Sequence, residues 1–284
     1  QVPCEIGSCR SICINFFYPF AHTQQVIVIL HDKRRSIVRP QVVIQFSFAF
    51  SHPFYAAKSF EVRLTAIGNK AINYASDEIQ AYFGGAYVLV PQCPGAWMHD
   101  KDGKMQPGSG EDVYNVGLMA LIKDFVNKHP DIDTKRIYIG GCSNGGYMSL
   151  KLILKEPTYF AAGYISALAY QSEYITDAQI NSIKHVPIWF VQSKDDGTTK
   201  PELTAVPVYE RLKKAGAKNL HFSFYDHVTD ITGFFGGENY YYNGHWSWIY
   251  SHANTAKLDY DGKPVTLNGR PVTIMEWLAA QAKK

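Results

Sequence analysis

The sequence has little of what marks a nucleic-acid-binding, zinc-binding or membrane-spanning protein. Its 28 Lys and Arg residues nearly balance 25 Asp and Glu, and a net charge of +3 favours neither nucleic acid nor an anionic membrane as a partner. None of its five cysteines forms a CxxC pair with histidine partners, so we expect no metal. No apolar run reaches the roughly 20 residues that cross a bilayer, so we expect no membrane insertion.

The cysteines and the first residues leave the compartment open. Cys142 lies inside a glycine-rich motif and is predicted to be a small buried side chain. Cys4, Cys9 and Cys13 either pair in an oxidising compartment or stay reduced. The chain begins at Gln1 and lacks a basic segment followed by a short apolar one, so a signal peptide has been removed or was never there.

The length and the order of elements predict the fold class. With 284 residues, of which 46% are hydrophobic, residues 1–284 are expected to form one large domain. From about Tyr87 onward short β-rich runs alternate with amphipathic stretches, which predicts an α/β fold: a mostly parallel central sheet with helices on both faces. Residues 1–60 fit this pattern less clearly. The predicted strands cover residues 26–30, 42–48, 86–91, 136–140, 161–167, 187–192 and 220–225, and the predicted helices cover residues 111–129, 147–155, 177–184, 209–215 and 272–282.

One motif carries a chemical prediction. The segment Gly141-Cys-Ser-Asn-Gly145 fits the pattern G-x-S-x-G and lies directly after a predicted strand and before a predicted helix. Such a turn holds the serine in a strained backbone conformation and needs small neighbours, because strand and helix approach closely. Ser143 is therefore the candidate nucleophile, and the backbone N–H of Asn144 is a candidate donor to an oxyanion.

A serine hydroxyl needs a base, and the base needs an orienting carboxylate. The predicted strand 187–192 leads into Asp195 and Asp196, and spacing alone does not choose between these two neighbours. His245 follows Asn-Gly and precedes a predicted helix, which would hold it while leaving it open to a pocket. His227 is the alternative base, and His221 is predicted to be structural.

These segments resemble the polyhydroxybutyrate-depolymerase-like and prolyl-oligopeptidase-like esterase branch of the α/β-hydrolases, which includes feruloyl esterases. The resemblance covers residues 64–248 and is carried by the segments Val90-Pro-Gln-Cys-Pro94 with Trp97, Gly140-Gly-Cys-Ser-Asn-Gly-Gly-Tyr-Met-Ser149, Gln192-Ser-Lys-Asp-Asp196 and Gly244-His-Trp-Ser-Trp248. It implies the α/β-hydrolase fold, with Ser143 as nucleophile, Asp196 rather than Asp195 as acid and His245 as base. It also implies carboxylic ester substrates, small or polymeric, no cofactor and, since family members are often exported, a secreted protein.

The chain departs from this family at its early strand. The family's strand ends in L-H-G followed by more glycine, whereas this sequence has Leu30-His-Asp-Lys33, the one candidate for a second oxyanion donor. The acid loop also has Gln192 where the family prefers histidine.

Aromatic residues are concentrated near the predicted base. Residues 229–243 are rich in glycine and aromatics and are predicted to be a loop over a pocket, with Trp97 and Trp246 as candidate substrate contacts. Such clusters either face a sugar-like or lignin-like ligand or pack loops onto the core. Three functions remain open: an esterase acting on acyl, aromatic-acid or polyester substrates, a serine peptidase of prolyl-oligopeptidase type, and a non-catalytic binding module on a decayed hydrolase.

Overall fold

The computed structural model describes residues 3–6, 9–16, 24–30, 41–46, 71–91, 93 and 96–284. The strands are Pro3–Ile6 (β1), Cys9–Phe16 (β2), Gln24–Leu30 (β3), Gln41–Phe46 (β4), Ala86–Pro91 (β5), Ile137–Cys142 (β6), Ala162–Ser166 (β7), Ile188–Ser193 (β8), Leu220–Tyr225 (β9), Val228–Thr229 (β10), Tyr241–Tyr242 (β11), Thr266–Leu267 (β12) and Arg270–Pro271 (β13). The α-helices are Asp77–Phe83 (α1), Asn115–Lys128 (α2), Asn144–Lys155 (α3), Asp177–Ile183 (α4), Ala205–Lys214 (α5), Trp248–His252 (α6) and Ile274–Ala279 (α7). Short 3-10 helices cover Ala71–Ala75, Ser172–Tyr174, Gly237–Asn239 and Gly244–Ser247.

Nine of the described strands form one sheet in the order β1-β2-β3-β5-β4-β6-β7-β8-β9. The six strands from β5 to β9 along this order run parallel. The pairs β1–β2, β2–β3 and β3–β5 are antiparallel. The predicted mostly parallel sheet is therefore confirmed, with an antiparallel extension at one edge.

The parallel strands are buried on both sides. Every residue of β5, β6 and β8 is buried, as expected for strands covered by helices on both faces. Neighbouring residues contribute to opposite layers: Ile139 packs in the layer with α2, α3, α4 and α5, and Tyr138 in the layer with α1 and α7. No helix in the described part of the chain is long and apolar enough to cross a membrane. The assignment of residues 1–284 to one domain stays a prediction.

Several predicted helix bounds were wrong. The helix predicted from residue 111 begins at Asn115, because the Asp112 carboxylate accepts the N–H groups of Tyr114 and Asn115 and ends the preceding turn. In that turn the Ser109 hydroxyl accepts the Glu111 N–H. The helix predicted from residue 209 begins at residue 205, since Pro207 lies in its first turn, where a missing N–H needs no partner. The last helix is shorter than predicted, at Ile274–Ala279.

Candidate active site

The turn between β6 and α3 holds Ser143 in an unusual backbone conformation. Its φ of 54° and ψ of −118° lie where residues other than glycine are uncommon and strained. Its N–H donates to the Ser166 carbonyl on the neighbouring strand at 2.9 Å. A Cβ on Gly146 would lie 3.0 Å from that same carbonyl oxygen, and one on Gly140 would overlap the Tyr164 ring, so both glycines permit the close packing of this turn.

The structure brings together the side chains of Ser143, Asp196 and His245, although these residues span 102 positions of the sequence. The Ser143 Oγ lies 2.9 Å from the His245 Nε2. On the other side of the ring, the Nδ1 lies 3.0 Å from the Asp196 Oδ2 and 3.1 Å from its Oδ1. We name His245 and Asp196 the inner pair. The structure thus joins the three predicted residues in one hydrogen-bonded relay, and their catalytic roles stay a prediction.

The Asp196 side chain is buried and held from several directions. Its Oδ1 accepts the N–H groups of Thr198 and Thr199, both at 2.9 Å, and its Oδ2 accepts the Thr199 hydroxyl at 2.7 Å and the Gln192 amide at 3.3 Å. Burial opposes ionisation, but the hydrogen bonds and charge of His245 and the bonds from Thr199 outweigh it and lower the Asp196 pKa. Sequence reasoning missed both threonines, since nothing in Gly-Thr-Thr marks a carboxylate-binding loop.

The neighbouring Asp195 forms a separate pair. Its Oδ2 lies 2.8 Å from the His227 Nδ1, and its Oδ1 accepts the Ser193 hydroxyl. We name His227 and Asp195 the outer pair. The alternative acid, Asp195, and the alternative base, His227, therefore bind each other and not Ser143. The predicted structural role of His221 fits its contact with Asp259 at 2.7 Å.

The loop that carries His245 is fixed at two points. The Asn243 Oδ1 accepts the His245 N–H at 2.9 Å, and the short 3-10 helix Gly244–Ser247 begins there. A Cβ on Gly244 would lie 2.6 Å from the Asp195 carbonyl oxygen. Only glycine therefore lets the loop that carries His245 lie directly on the loop that carries Asp195 and Asp196. The Trp248 ring meets the His245 ring edge-on, with centroids 5.1 Å apart.

A cavity of about 600 Å³ opens at Ser143. Its lining is mostly apolar and consists of Met98, Met105, Pro107, Gly108, Cys142, Ser143, Ala169, Gln171, Thr198, Thr199, Lys200, Leu203, Thr204, His245, Trp246 and Trp248. Trp246 is in this set, and its role as a substrate contact stays a prediction. Trp97 is not: it is 1% exposed and packs edge-on against Tyr114 in the core, so its large ring fills the interior instead.

Two segments were predicted to donate to an oxyanion. The Asn144 N–H is in the first turn of α3, where backbone donors have no partner inside the helix. The predicted second donor falls on His31 and Asp32, which lie outside the described residues, and it stays a prediction. The last residue of β4, Phe46, pairs with Gly141 beside Ser143.

The aromatic-rich segment is more regular than predicted. Val228–Thr229 and Tyr241–Tyr242 form a two-stranded antiparallel ladder that encloses the 3-10 helix Gly237–Asn239. None of residues 229–243 lines the cavity. The segment lies beside it, since the Tyr242 ring is 5.9 Å from the ring of Trp246, which does line the cavity. The predicted position over a pocket is therefore corrected to a position next to one. Within the described residues no group of three His, Cys, Asp or Glu side chains lies close enough to hold a metal ion.

Comparison with known proteins agrees with this architecture. Residues 110–185, which include β6, Ser143 and α3, match the model of the prolyl oligopeptidase family, Peptidase S9. No curated protein matches the chain. The solved structure of a thermostable esterase superposes with a TM-score of 0.71 at 20% identity, and the match covers 96% of this chain and 63% of that one.

Two further solved structures are similar. A ferulic acid esterase gives a TM-score of 0.52 at 12% identity, covering 77% of this chain and 90% of its own. The Pyrococcus horikoshii acylaminoacyl peptidase gives 0.51 at 12% identity, covering 87% of this chain and 41% of its own. The chain thus spans less than two thirds of the thermostable esterase and less than half of the peptidase.

The sheet order and these matches define the class: the chain has the α/β-hydrolase fold. The resemblance to the branch that contains esterases and prolyl-oligopeptidase-like enzymes is confirmed. Within that class the comparisons support a serine hydrolase and leave ester and peptide substrates open.

Proposed function

We propose that this chain is a serine esterase that hydrolyses carboxylic esters through an acyl-enzyme, with Ser143 as nucleophile, His245 as base and Asp196 as orienting acid. The observation that carries the proposal is the hydrogen-bonded relay from the Ser143 Oγ through both nitrogens of His245 to the Asp196 carboxylate. A serine, an imidazole and a carboxylate in this order provide the parts that acyl transfer needs.

In the first step the His245 Nε2 takes the Ser143 proton while the Oγ bonds to the ester carbonyl carbon. The carbonyl electron pair moves to its oxygen, and the Asn144 N–H donates to this oxyanion. When the tetrahedral intermediate collapses, the bond to the alcohol oxygen breaks. His245 returns the proton to that oxygen, so the alcohol leaves neutral and the acyl group stays on Ser143.

In the second step water replaces the alcohol. His245 takes a proton from the water as its oxygen attacks the acyl carbon, and it then protonates the Ser143 Oγ as the acid product leaves. Asp196 stays ionised throughout, because its bonds to Thr198, Thr199 and His245 stabilise the carboxylate, and it holds the imidazole with Nε2 towards Ser143. These steps require neither a cofactor nor a metal.

The cavity supports an uncharged substrate. Among the lining residues that the structure describes, none is acidic, Lys200 is the one lysine or arginine, and Met98, Met105 and Leu203 contribute apolar surface. Its volume of about 600 Å³ is within the range of small-molecule sites. The esterase structures that resemble the chain support small ester substrates, and we include aromatic-acid esters and polyester chains because Trp246 offers an aromatic face at the mouth.

A peptidase is the second candidate function. The match of residues 110–185 to the prolyl oligopeptidase family and the similarity to an acylaminoacyl peptidase favour it. The same three residues would hydrolyse a peptide bond, with His245 protonating the leaving amine instead of the leaving alcohol.

Hydrolysis of a substrate panel by the wild type and by Ser143→Ala separates these functions. The panel contains para-nitrophenyl butyrate, methyl ferulate, a polyester film and a peptide anilide. The esterase proposal predicts ester turnover that Ser143→Ala abolishes. Peptide turnover without ester turnover would establish the peptidase instead, and absence of all turnover would favour a non-catalytic binding module.

A further inference from the structure

One wall of the cavity at Ser143 is formed by a loop. We call residues 98–112 the wall loop, and they contain turns and isolated bridges but neither a helix nor a longer strand. The loop contributes to the cavity lining Met98, Met105, Pro107 and Gly108. Because the wall loop is not part of a helix or of the sheet, its distance from Ser143 depends on the elements that it contacts.

The end of the wall loop is bound to α3, the helix that follows Ser143. The Asp112 Oδ2 accepts the Tyr147 hydroxyl at 3.0 Å and lies 3.8 Å from the Lys151 Nζ. The Lys151 Nζ also donates to the Gly110 carbonyl. We call Asp112, Tyr147 and Lys151 the anchor. The Tyr147 N–H donates to the Ser143 carbonyl at 2.9 Å, so the first turn of α3 contacts both the candidate nucleophile and the anchor.

The anchor is a buried ion pair with further hydrogen bonds. The Asp112 side chain is 0% exposed and that of Lys151 is 12% exposed. The second carboxylate oxygen, Oδ1, accepts the N–H groups of Tyr114 at 3.1 Å and Asn115 at 2.8 Å. A buried charge is costly unless it is paired and hydrogen-bonded, and both conditions hold for Asp112. The anchor therefore favours one arrangement of the wall loop on α3.

The wall loop also lies on the segment that follows β7. The Gln171 N–H donates to the Gly108 carbonyl at 3.1 Å. Gly110 has a φ of 79°, and a Cβ there would lie 2.5 Å from the Tyr170 hydroxyl oxygen. Glycine thus permits a left-handed backbone directly on the Tyr170 side chain. The Tyr170 ring packs on the ring of Tyr147, with centroids 4.9 Å apart, so this contact leads back to the anchor.

We propose that Asp112 is a positioning residue that fixes the wall loop against α3 and thereby determines the length of ester chain that the cavity prefers. The inference rests on the proposed esterase function. With the ester carbonyl held at Ser143, a chain that reaches Met98 and Met105 gains affinity only while these apolar side chains stay at a fixed distance. The hydrogen bonds of the anchor involve none of the three side chains of the relay. Breaking the anchor should therefore change chain-length preference more than it changes the chemical step.

Binding of three esters to Ser143→Ala tests the anchor without catalysis. Ethyl acetate is the short ester, methyl octanoate has a long acyl chain and octyl acetate a long alcohol chain. Tryptophan fluorescence follows binding, since Trp246 and Trp248 line the cavity. The length preference is the dissociation constant of ethyl acetate divided by that of the tighter-binding long ester. We expect added Asp112→Asn to lower this ratio about tenfold, and added Tyr147→Phe about threefold.

Steady-state kinetics with the Ser143 enzyme gives a second readout. In Asp112→Asn and in Tyr147→Phe the KM for the preferred long ester should rise by the same factors, while kcat should change less than about twofold. A role in folding alone would lower the melting temperature without this rise in KM.

Two further variants make the test specific. Asp112→Asn leaves the buried Lys151 ammonium without its charged partner, whereas Tyr147→Phe keeps both charges and decides the question if Asp112→Asn does not fold. Tyr138→Phe is the matched control, because it also removes a buried hydroxyl, one that donates to the Gln281 carbonyl at 2.8 Å in the opposite layer. It should lower the melting temperature and leave the length preference unchanged.

The remaining outcomes separate the anchor from the proposed function. An unchanged length preference in Tyr147→Phe, or an equal change in Tyr138→Phe, would overturn the anchor proposal even if esters are cleaved. So would equal binding of short and long esters by Ser143→Ala itself. Failure of the wild type to cleave any of the three esters would instead count against the proposed function, and the binding ratios would then decide on the anchor alone.

Discussion

The inner pair and the outer pair contain the same two residue types, and their acids are adjacent in the chain. The side chains of His245 and Asp196 are 12% and 0% exposed, whereas those of His227 and Asp195 are 45% and 37% exposed. His245 bridges Asp196 to the Ser143 hydroxyl, while the His227 ring stacks on Tyr241, with centroids 4.3 Å apart. The pairs therefore differ in burial and in what lies on the second side of the imidazole.

This difference shows why residue type alone does not identify a candidate catalytic histidine. A solvent-exposed ion pair contributes about 0–1 kcal/mol, because water screens it. A buried carboxylate that accepts several hydrogen bonds keeps its charge beside the imidazole and fixes the ring orientation. The outer pair joins the acid loop to the turn after β9, and Tyr250 supports that turn by donating to the His227 carbonyl.

Replacing each histidine by alanine should give the largest difference in kcat/KM between the inner pair and the outer pair. His245→Ala should lower kcat/KM for para-nitrophenyl butyrate by about 10⁴-fold or more, because it removes the proton acceptor of Ser143. His227→Ala should lower it by less than about tenfold. Steady-state kinetics measures both, and a loss in His227→Ala as large as that in His245→Ala would show that the outer pair carries the chemistry.

Replacing the aspartate of the inner pair should also lower activity more than replacing that of the outer pair, but the difference should be smaller than for the histidines. Asp196→Asn should reduce kcat about 10³- to 10⁴-fold, since the amide favours the wrong imidazole tautomer. Asp195→Asn should reduce it less than about tenfold. Comparable losses in the two variants would mean that the acid assignment is wrong.

Asp196 also makes a pH prediction for stability. Its folded-state pKa lies below the ordinary value of 3.8, so the ionised carboxyl stabilises the fold above that value, and this contribution is lost as the pH falls through the lowered pKa. Urea unfolding should show wild type more stable than Asp196→Asn at pH 7, with a smaller difference near pH 3. A difference that stays constant or grows towards pH 3 would contradict the lowered pKa.

Gly244 links the two pairs, because it lies on the Asp195 backbone and precedes His245. Gly244→Ala should lower kcat/KM about tenfold to 10²-fold, since its Cβ would push the loop away and displace the imidazole. Two of the nearest atoms, the Asp195 carbonyl carbon and oxygen, belong to the backbone. Adding Asp195→Ala should therefore not restore activity, and full rescue would show that only the side chain limits the approach.

The smallest expected effect concerns backbone strain at Ser143. Ser143 has a φ of 54°, which glycine adopts more easily than alanine. Ser143→Gly should be more stable than Ser143→Ala by about 1 kcal/mol, a difference that thermal unfolding of the two inactive variants measures. Equal melting temperatures would indicate that the turn stores no strain.

The sequence predicted the parallel strands and the strand–turn–helix around Ser143 because their apolar runs and glycines act locally. Spacing alone did not show whether Asp195 or Asp196 is the acid, since that choice depends on how the loop after β8 places each side chain against His245. The assignment of Trp97 to the substrate failed for a related reason. Burial of a ring depends on packing partners that lie far away in the chain.

Covalent labelling with a fluorophosphonate tests the relay most directly, because this reagent reacts with a serine only when a base activates it. Peptide mapping by mass spectrometry should place a single adduct on Ser143 in the wild type and in His227→Ala, and labelling should be lost or slowed at least about 10³-fold in His245→Ala. An adduct on another residue, or labelling of Ser143 at an unchanged rate in His245→Ala, would contradict the account.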